Sequence, residues 1–145
     1  MCRTSFIAQH NHMDGCSNLS SGIDQQQHFK GTIYRFGNKL SDESAYFLAK
    51  AHSINNNNAL KVLNLGENKI TKEGTTHLAQ MIKTNKILTD LLLNGNEINN
   101  EGVRILTNEI ENHNTSVQVL YLSYNSLLTD SSVDSLLQMI RHNSS

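Results

Sequence analysis

The sequence has few features of a secreted, membrane-bound or polyanion-binding protein. Its 145 residues include two cysteines, Cys2 and Cys16, and both lie close to the N-terminus. Two cysteines are too few for the disulfide framework of a small secreted domain, so reduced thiols are expected. The apolar runs are only a few residues long, too short for a signal peptide or a membrane-spanning helix. The sequence therefore predicts a soluble, cytoplasmic protein with no membrane association.

Charge is also scarce, and its two signs are nearly balanced. Twelve Lys and Arg residues against 13 Asp and Glu residues give a net charge of −1 at pH 7. A protein that binds nucleic acid or anionic lipid needs a surplus of positive charge, so neither partner is expected. The chain has room for one ordinary domain.

Motifs of enzymatic chemistry are absent as well. The sequence contains no nucleophile elbow, no phosphate-binding loop and no metal-ligand pair at helical spacing. Neither an enzymatic activity nor a cofactor is therefore expected. Four residues near the N-terminus are of types that zinc prefers: Cys2, His10, His12 and Cys16. Their spacing matches no standard zinc finger, and the interpretation is a metal-free flexible tail over residues 1–28.

What the sequence does contain is an internal repeat. The segments LKVLNLGENKITKEGTTHLAQMIKTN, LTDLLLNGNEINNEGVRILTNEIENHN and VQVLYLSYNSLLTDSSVDSLLQMIRHN begin at residues 60, 88 and 117 and align column by column. Asn68, Asn96 and Asn125 occupy one column and mark periods of 28 and 29 residues. A fourth, degenerate unit with a poor strand portion precedes them at residues 33–56. Such a repeat predicts a stack of similar structural units.

Each repeat begins with two leucines at alternating positions, as in a short strand with one buried face. The pairs are Leu63 with Leu65, Leu91 with Leu93, and Leu120 with Leu122. An asparagine follows three residues later, where the chain must turn and leave backbone groups in need of partners. Asn68, Asn96 and Asn125 are therefore predicted to form an asparagine ladder.

A helix is predicted in the second half of each repeat. Thr71, Asn99 and Thr129 are of the types that cap helix starts. Behind them, small or apolar residues recur every four positions, so that one helical stripe faces the sheet. These residues are Gly74, Leu78 and Ile82; Gly102, Leu106 and Ile110; and Ser132, Leu136 and Ile140. The third repeat carries one inserted residue after Asn125, and Gly95 lies where the loop needs an unusual backbone angle.

The column pattern LxxLxLxxNxIxxxGxxxLxxxIxxN resembles the ribonuclease-inhibitor subtype of leucine-rich repeats over roughly residues 33–145. The resemblance implies an α/β solenoid, a short right-handed superhelix with a parallel sheet on its concave side and helices on its convex side. It would contain about three full repeats and one degenerate repeat, within a domain of residues 29–145. The sequence departs from the pattern at Ser132, which replaces the glycine, and at the insertion after Asn125.

Proteins with similar repeats include ribonuclease inhibitors, sensor regions of nucleotide-binding innate-immune receptors, activators of the Ran GTPase and actin-capping tropomodulins. The favoured interpretation is a non-enzymatic module that binds a protein partner through its concave strands and adjoining loops. One alternative is a GTPase-activating or regulatory protein resembling the Ran activators, with Arg35 as the arginine that acts in trans. Another is a fragment of a larger nucleotide-binding immune-type receptor.

The candidate partner-binding surface follows from strand alternation, because residues between the buried leucines point to the concave side. With the loop residues beside them, they are Val62, Asn64, Gly66, Glu67, Asp90, Leu92, Asn94, Val119, Tyr121, Ser123 and Tyr124. Leu92, Tyr121 and Tyr124 form an aromatic and aliphatic cluster of the composition favoured at interface hot spots. The last strand, near residues 119–122, is predicted to leave an open edge that is a candidate site of self-association.

Overall fold

Strands and helices alternate along the chain. The computed structural model describes residues 6–7, 31–54, 60–113 and 116–143. The strands are β1 (Phe6–Ile7), β2 (Gly31–Tyr34), β3 (Leu60–Asn64), β4 (Asp90–Leu92) and β5 (Val119–Tyr121). The helices are α1 (Asp42–Ile54), α2 (Lys72–Thr84), α3 (Asn100–His113) and α4 (Val133–Asn143), and a single 3₁₀ turn, Asp130–Ser132, precedes α4. None of these helices is long and apolar enough to span a membrane.

All five strands form one parallel sheet in chain order, β1-β2-β3-β4-β5. A helix lies between each pair of successive strands from β2 onward, and successive helices pack side by side. This arrangement confirms the predicted α/β solenoid, in which each repeat supplies one strand and one helix. The sheet face opposite the helices is called the concave face below.

The core lies between the sheet and the helices. Leu63, Leu65, Leu91 and Leu93 are fully buried there, as the alternating pattern predicts. Leu78, Ile82, Leu106 and Ile110 meet them from α2 and α3. Burying one such side chain contributes about 1.5–3 kcal/mol, so the interior repeats supply most of the hydrophobic stabilisation. Leu120 and Leu122 are only partly buried, because β5 has a neighbouring strand on one side.

The buried asparagine of each repeat connects it to the repeat before. Asn96 Nδ2 donates to the carbonyls of Leu93 in its own repeat and Leu65 in the preceding one, at 3.0 and 2.9 Å. Asn96 Oδ1 accepts from the Ile70 amide at 3.0 Å. Corresponding bonds, one repeat earlier and one repeat later, are made by Asn68 and Asn125. Backbone groups that the turns would leave without partners thus receive bonds from one column of side chains.

The start of α2 is held by two side chains. Thr71 caps the helix, and its side chain accepts a hydrogen bond from the Glu73 amide. The carboxylate of Asp42, in α1, accepts from the Thr71 amide and hydroxyl and from the Gly74 amide, at 2.8, 2.7 and 2.8 Å. A negative charge at a helix N-terminus is also favoured by the helix dipole. The sequence pattern predicts that Thr71 caps the helix, but it does not predict the hydrogen bonds that Asp42 accepts.

The first unit contains a strand, β2, although its sequence departs from the leucine pattern. Ile33 of β2 pairs with Leu63, and the register shifts only between Gly31 and Thr32. The sheet extends further through β1, which pairs with β2 inside the segment predicted to be a tail. The sequence does not predict this strand. The remainder of residues 1–28, including the cysteines and histidines considered as zinc ligands, lies outside the described residues.

The inserted residue changes the loop of the last repeat. In the interior repeats, the Ile70 and Ile98 amides donate to the asparagine of the next repeat. The corresponding amide, that of Leu128, donates instead to the Asn125 carbonyl in its own loop at 3.0 Å. Thr129 then caps a 3₁₀ turn in place of the first turn of an α-helix. The inserted residue thereby allows the Leu128 amide to form its hydrogen bond within the last repeat.

Candidate functional site

The strand register arranges the concave side chains in two straight rows. Partnered residues of β2, β3, β4 and β5 point to the same side of a parallel sheet. The first row is Thr32, Val62, Asp90 and Val119, and the second row is Tyr34, Asn64, Leu92 and Tyr121. The predicted strand residues of the candidate surface all lie in these two rows.

The second row has an aromatic residue at each end. Tyr34 is 41% exposed and Tyr121 is 53% exposed, whereas Asn64 and Leu92 between them are half-buried. Leu92 is the direct cross-strand partner of Tyr121, so the structure brings together two members of the predicted cluster. Tyr124, the third member, lies in the loop beyond β5 and is 88% exposed.

A third row, made of Phe36, Gly66, Asn94 and Ser123, continues the surface into the loops after the strands. The Gly37 amide donates to the Gly66 carbonyl, and the Gly95 amide donates to the Ser123 carbonyl. Phe36, which is half-exposed, lies against Gly66: a Cβ atom added there would be 2.9 Å from the Phe36 ring and 2.8 Å from Asn94 Oδ1. The absence of a side chain at Gly66 therefore makes room for an aromatic ring beside Asn94.

The loop position directly before the asparagine of each repeat adopts the left-handed backbone conformation. Gly37, Glu67, Gly95 and Tyr124 have φ angles of 69°, 52°, 65° and 60°. Each directly precedes an asparagine, and three of those asparagines form the ladder. The unusual angle predicted for Gly95 is present. Two repeats carry a side chain here, that of Glu67 or Tyr124, despite the steric cost of this conformation. The conformation directs both side chains outward from the same edge of the concave face.

The surface carries little charge. Asp90 is the one Asp, Glu, Lys or Arg side chain in the two strand rows, and it is half-buried, with its carboxylate accepting a hydrogen bond from the Thr89 hydroxyl. Glu67 adds an exposed carboxylate in the loop after β3. Aromatic, aliphatic and amide groups make up most of the remainder. Such a surface is suited to apolar contact and neutral hydrogen bonding.

Tyr34 and Phe36 belong to this surface, and the sequence prediction missed them. The signal was present: aligning Asn38 with Asn68 places Tyr34 in the column of Asn64 and Phe36 in the column of Gly66. The same alignment places Arg35 in the column of the buried Leu65. The backbone agrees, because the Arg35 amide donates to Asn64 as the Leu65 amide donates to Leu92. Arg35 therefore lies in an interior column and not in a concave row.

Within the described ranges, no group of three or more His, Cys, Asp or Glu side chains is arranged to hold a metal ion. The candidate zinc ligands of the N-terminal segment lie outside these ranges. The surface built from the described residues is thus made of side chains suited to noncovalent contact.

Comparisons with known proteins agree with this architecture. Residues 56–79, 84–105 and 113–137 match a family model described as Leucine Rich repeat. Each matched stretch begins four residues before one of the three repeats and ends within its helix. The ribonuclease-inhibitor subtype stays a prediction.

Solved structures with the same fold include one described as Leiomodin-1 Actin-Binding Site 2 (ABS2). The similarity covers 89% of this chain and 87% of that chain, with a TM-score of 0.62 and 14% sequence identity. At this identity the similarity establishes the fold alone. Both comparisons support a leucine-rich-repeat solenoid.

Proposed function

We propose that the chain holds a protein partner against its concave face, with Tyr34, Phe36, Leu92 and Tyr121 as the main contacts. The observation that carries the proposal is the second row of the sheet, in which two exposed tyrosines flank Asn64 and Leu92 in register. Tyrosine supplies a large apolar ring and a hydroxyl group at low cost in side-chain entropy, which explains its enrichment in interface hot spots.

The rigidity of the surface supports the proposal. The strands that bear the rows are hydrogen-bonded to one another in a single sheet, and the Asn96 bonds hold the turn after β4 against the repeat before it. This face therefore needs no ordering when a partner binds, and only the partner loses conformational freedom. A preorganised surface retains more of its contact energy as affinity.

The composition of the surface also indicates which kind of partner segment would bind to it. Asp90 is the one charged side chain in the strand rows, and it is half-buried beside Thr89. A partner segment rich in positive charge would gain little from this face and would lose hydration there. The proposed partner segment is therefore apolar or aromatic with neutral hydrogen-bonding groups. Its binding should weaken little between low and physiological salt, because electrostatic attraction contributes little.

The alternative of a GTPase activator receives less support. An arginine that acts in trans must extend its guanidinium group into a partner's active site. Arg35 occupies the column of the interior leucines, and its amide and carbonyl groups are engaged by Asn64 and Asn68. The concave face requires no such residue. The third alternative, part of a larger immune-type receptor, is compatible with the same binding surface.

Affinity capture from cell extract with a matched control tests the proposal. Tyr34→Ser and Tyr121→Ser should each weaken retention of the captured protein at least about tenfold, as truncating a hot spot does. Tyr46→Ser is the control, because Tyr46 is a tyrosine of similar exposure, 38%, on helix α1. Each variant is first shown to be folded by its unfolding curve. Equal recovery with all four proteins would overturn the proposal.

The similar leiomodin-1 structure is that of an actin-binding site, which makes actin the first purified protein to test. Cosedimentation with filamentous actin and binding to monomeric actin are measured for the wild-type chain and the Tyr34→Ser variant. Binding that the variant loses would identify actin as the partner at the concave face. Absence of binding to both forms of actin would exclude it and leave the captured protein as the candidate.

A further inference from the structure

The strongest feature outside the concave face is the end face formed by β5 and α4, the last strand and helix that the structure describes. Strand β5 pairs with β4 on one side and is last in the strand order. The backbone of a parallel strand bonds to alternate sides, and residues 119 and 121 bond to the β4 side. The backbone groups of Leu120 therefore point away from β4, toward the open edge.

The open edge is a strand of three residues that carries neither charge nor proline. Residues 114–129 contain no Asp, Glu, Lys, Arg, His or Pro. The interior strands β3 and β4, by contrast, carry Lys61 and Asp90. Natural sheets usually place charge or proline on their edges to prevent pairing between molecules. Here the charges lie on interior strands, and the edge presents an uncharged strand.

The helix beside this edge presents an apolar stripe. Val133, Leu137 and Ile140 of α4 are exposed, and their spacing of four and three residues places them on one side of the helix. The residues in the same columns of α3 are Val103, Thr107 and Ile110, which are all buried. Ile140 is 55% exposed where Ile110 is 1% exposed. The stripe is thus the surface that a neighbouring helix covers in the interior repeats.

We propose that this end of the solenoid pairs with the same end of a second copy of the chain. A two-fold axis normal to the sheet would place β5 antiparallel to β5 of the second copy, and α4 beside its counterpart on the same side. The sheet and the helix layer then both continue across the interface. The interface is isologous, because each copy contributes the same surface, and the assembly closes at two copies. The sheet would extend to both molecules, with the backbone groups of Leu120 supplying its central hydrogen bonds.

The second copy is chosen as the occupant because the end face requires two matched elements. The occupant must offer an uncharged strand to pair with β5 and an apolar helix to pack against α4. The distance between these two elements must equal the distance between the sheet and the helix layer. The same face of another copy supplies both. Because the strand carries no charged residue and α4 carries one acidic residue, Asp134, and one arginine, Arg141, the two copies meet with little charge repulsion. This inference does not depend on the proposed binding at the concave face.

Sedimentation velocity over a range of concentrations tests the inference. The wild-type chain should sediment as a dimer at high concentration, and Ile140→Lys and Leu137→Lys should each raise the dimer dissociation constant at least about tenfold. Tyr34→Lys is the control, because it changes the concave face and leaves the end face intact. In the dimer, hydrogen exchange at the Leu120 amide should slow relative to the dilute monomer.

The outcomes separate this inference from the concave-face proposal. Ile140→Lys should abolish the dimer and leave capture of the partner unchanged, whereas Tyr34→Lys should do the reverse. A chain that stays monomeric at high concentration overturns the inference. So does a dimer that Ile140→Lys leaves intact, or one in which the Leu120 amide is not protected. Assembly that grows past the dimer with concentration indicates head-to-tail contacts and contradicts the two-fold arrangement.

Discussion

Tyr34 and Tyr121 lie at opposite ends of one row of the concave face, with Asn64 and Leu92 in the strands between them. Neighbouring strands are about 4.8 Å apart, so three strand spacings separate the two tyrosines by about 14 Å. The row therefore offers two aromatic contacts at a fixed separation. A partner that binds both must span four strands, and this requirement restricts which protein surfaces fit.

Removing a ladder asparagine should lower stability more than removing an asparagine on the concave face. In Asn96→Ala the Ile70 amide and the Leu65 and Leu93 carbonyls each lose a buried hydrogen bond. The two carbonyls keep the bonds from Asn68 and Asn125, whereas the Ile70 amide is left without its partner. We expect the free energy of unfolding to fall by about 3 kcal/mol, since each lost hydrogen bond contributes about 1 kcal/mol and a buried group without a partner costs about 1–3 kcal/mol. Urea unfolding at constant protein concentration measures the change.

Asn64→Ala is the matched control for the ladder. Asn64 is half-buried in a concave row, and its side chain accepts a hydrogen bond from the Gly66 amide at 2.9 Å. We expect a loss of about 1 kcal/mol or less, as for a typical single hydrogen bond. If the two variants lose equal stability, the ladder is not the stronger link between repeats.

A double-mutant cycle should show that Gly74 is required because of Asp42. A Cβ atom at position 74 would overlap Asp42 Oδ1, so Gly74→Ala must displace the carboxylate that binds the start of α2. We expect each single variant to lose about 2 kcal/mol. The double variant should lose less than their sum by at least about 1 kcal/mol, because both changes disrupt one set of bonds.

Asp130 provides the comparison for this cycle. It is exposed in the 3₁₀ turn before α4, far along the chain from Gly74. The effects of Asp130→Ala and Gly74→Ala on the free energy of unfolding should add to within about 0.5 kcal/mol. Strict additivity between Gly74→Ala and Asp42→Ala would contradict the proposed coupling.

Replacing Glu67 with glycine should stabilise the folded chain. Glu67 has a φ angle of 52°, and the same column contains glycine at positions 37 and 95. Left-handed backbone costs a residue with a side chain about 1–2 kcal/mol, part of which is offset by the greater freedom of glycine when unfolded. We expect Glu67→Gly to raise the free energy of unfolding by about 0.5 kcal/mol, measured by thermal and urea unfolding.

Glu97→Gly distinguishes relief of strain from loss of a charge. Glu97 is an exposed glutamate in the next loop whose φ angle is not positive. Its replacement should lower stability by about 0.5 kcal/mol, because glycine gains only unfolded-state freedom there. An equal change of the same sign in both variants would attribute the effect at position 67 to charge.

Periodic columns made most of the fold predictable. Leu63, Leu65, Leu91 and Leu93 alternate so regularly that the buried face of two strands follows from their spacing alone. The helix starts follow equally from local chemistry, as the Thr71 cap shows. In these positions local preference and global packing require the same residue types, and one sequence is enough to identify them.

Interactions between repeats limited the remaining predictions. Tyr34 and Phe36 belong to the concave face through the register of a unit whose leucine columns are replaced, so the leucine pattern alone does not reveal them. The bond between Asp42 and Thr71 joins residues from two repeats, and neither repeat alone requires it. The pairing of Phe6–Ile7 with β2 likewise depends on the sheet that the following residues form.

Hydroxyl-radical footprinting of the chain bound to its captured partner tests the concave-face proposal most directly. Oxidation of each side chain is compared between the free and the bound protein, with Tyr46 on α1 as an internal reference of similar exposure. We predict that oxidation of Tyr34, Phe36 and Tyr121 falls on binding and that oxidation of Tyr46 does not change. Protection of Tyr46 with Tyr34 and Tyr121 unchanged would place the partner on the helical side and contradict the proposed binding surface.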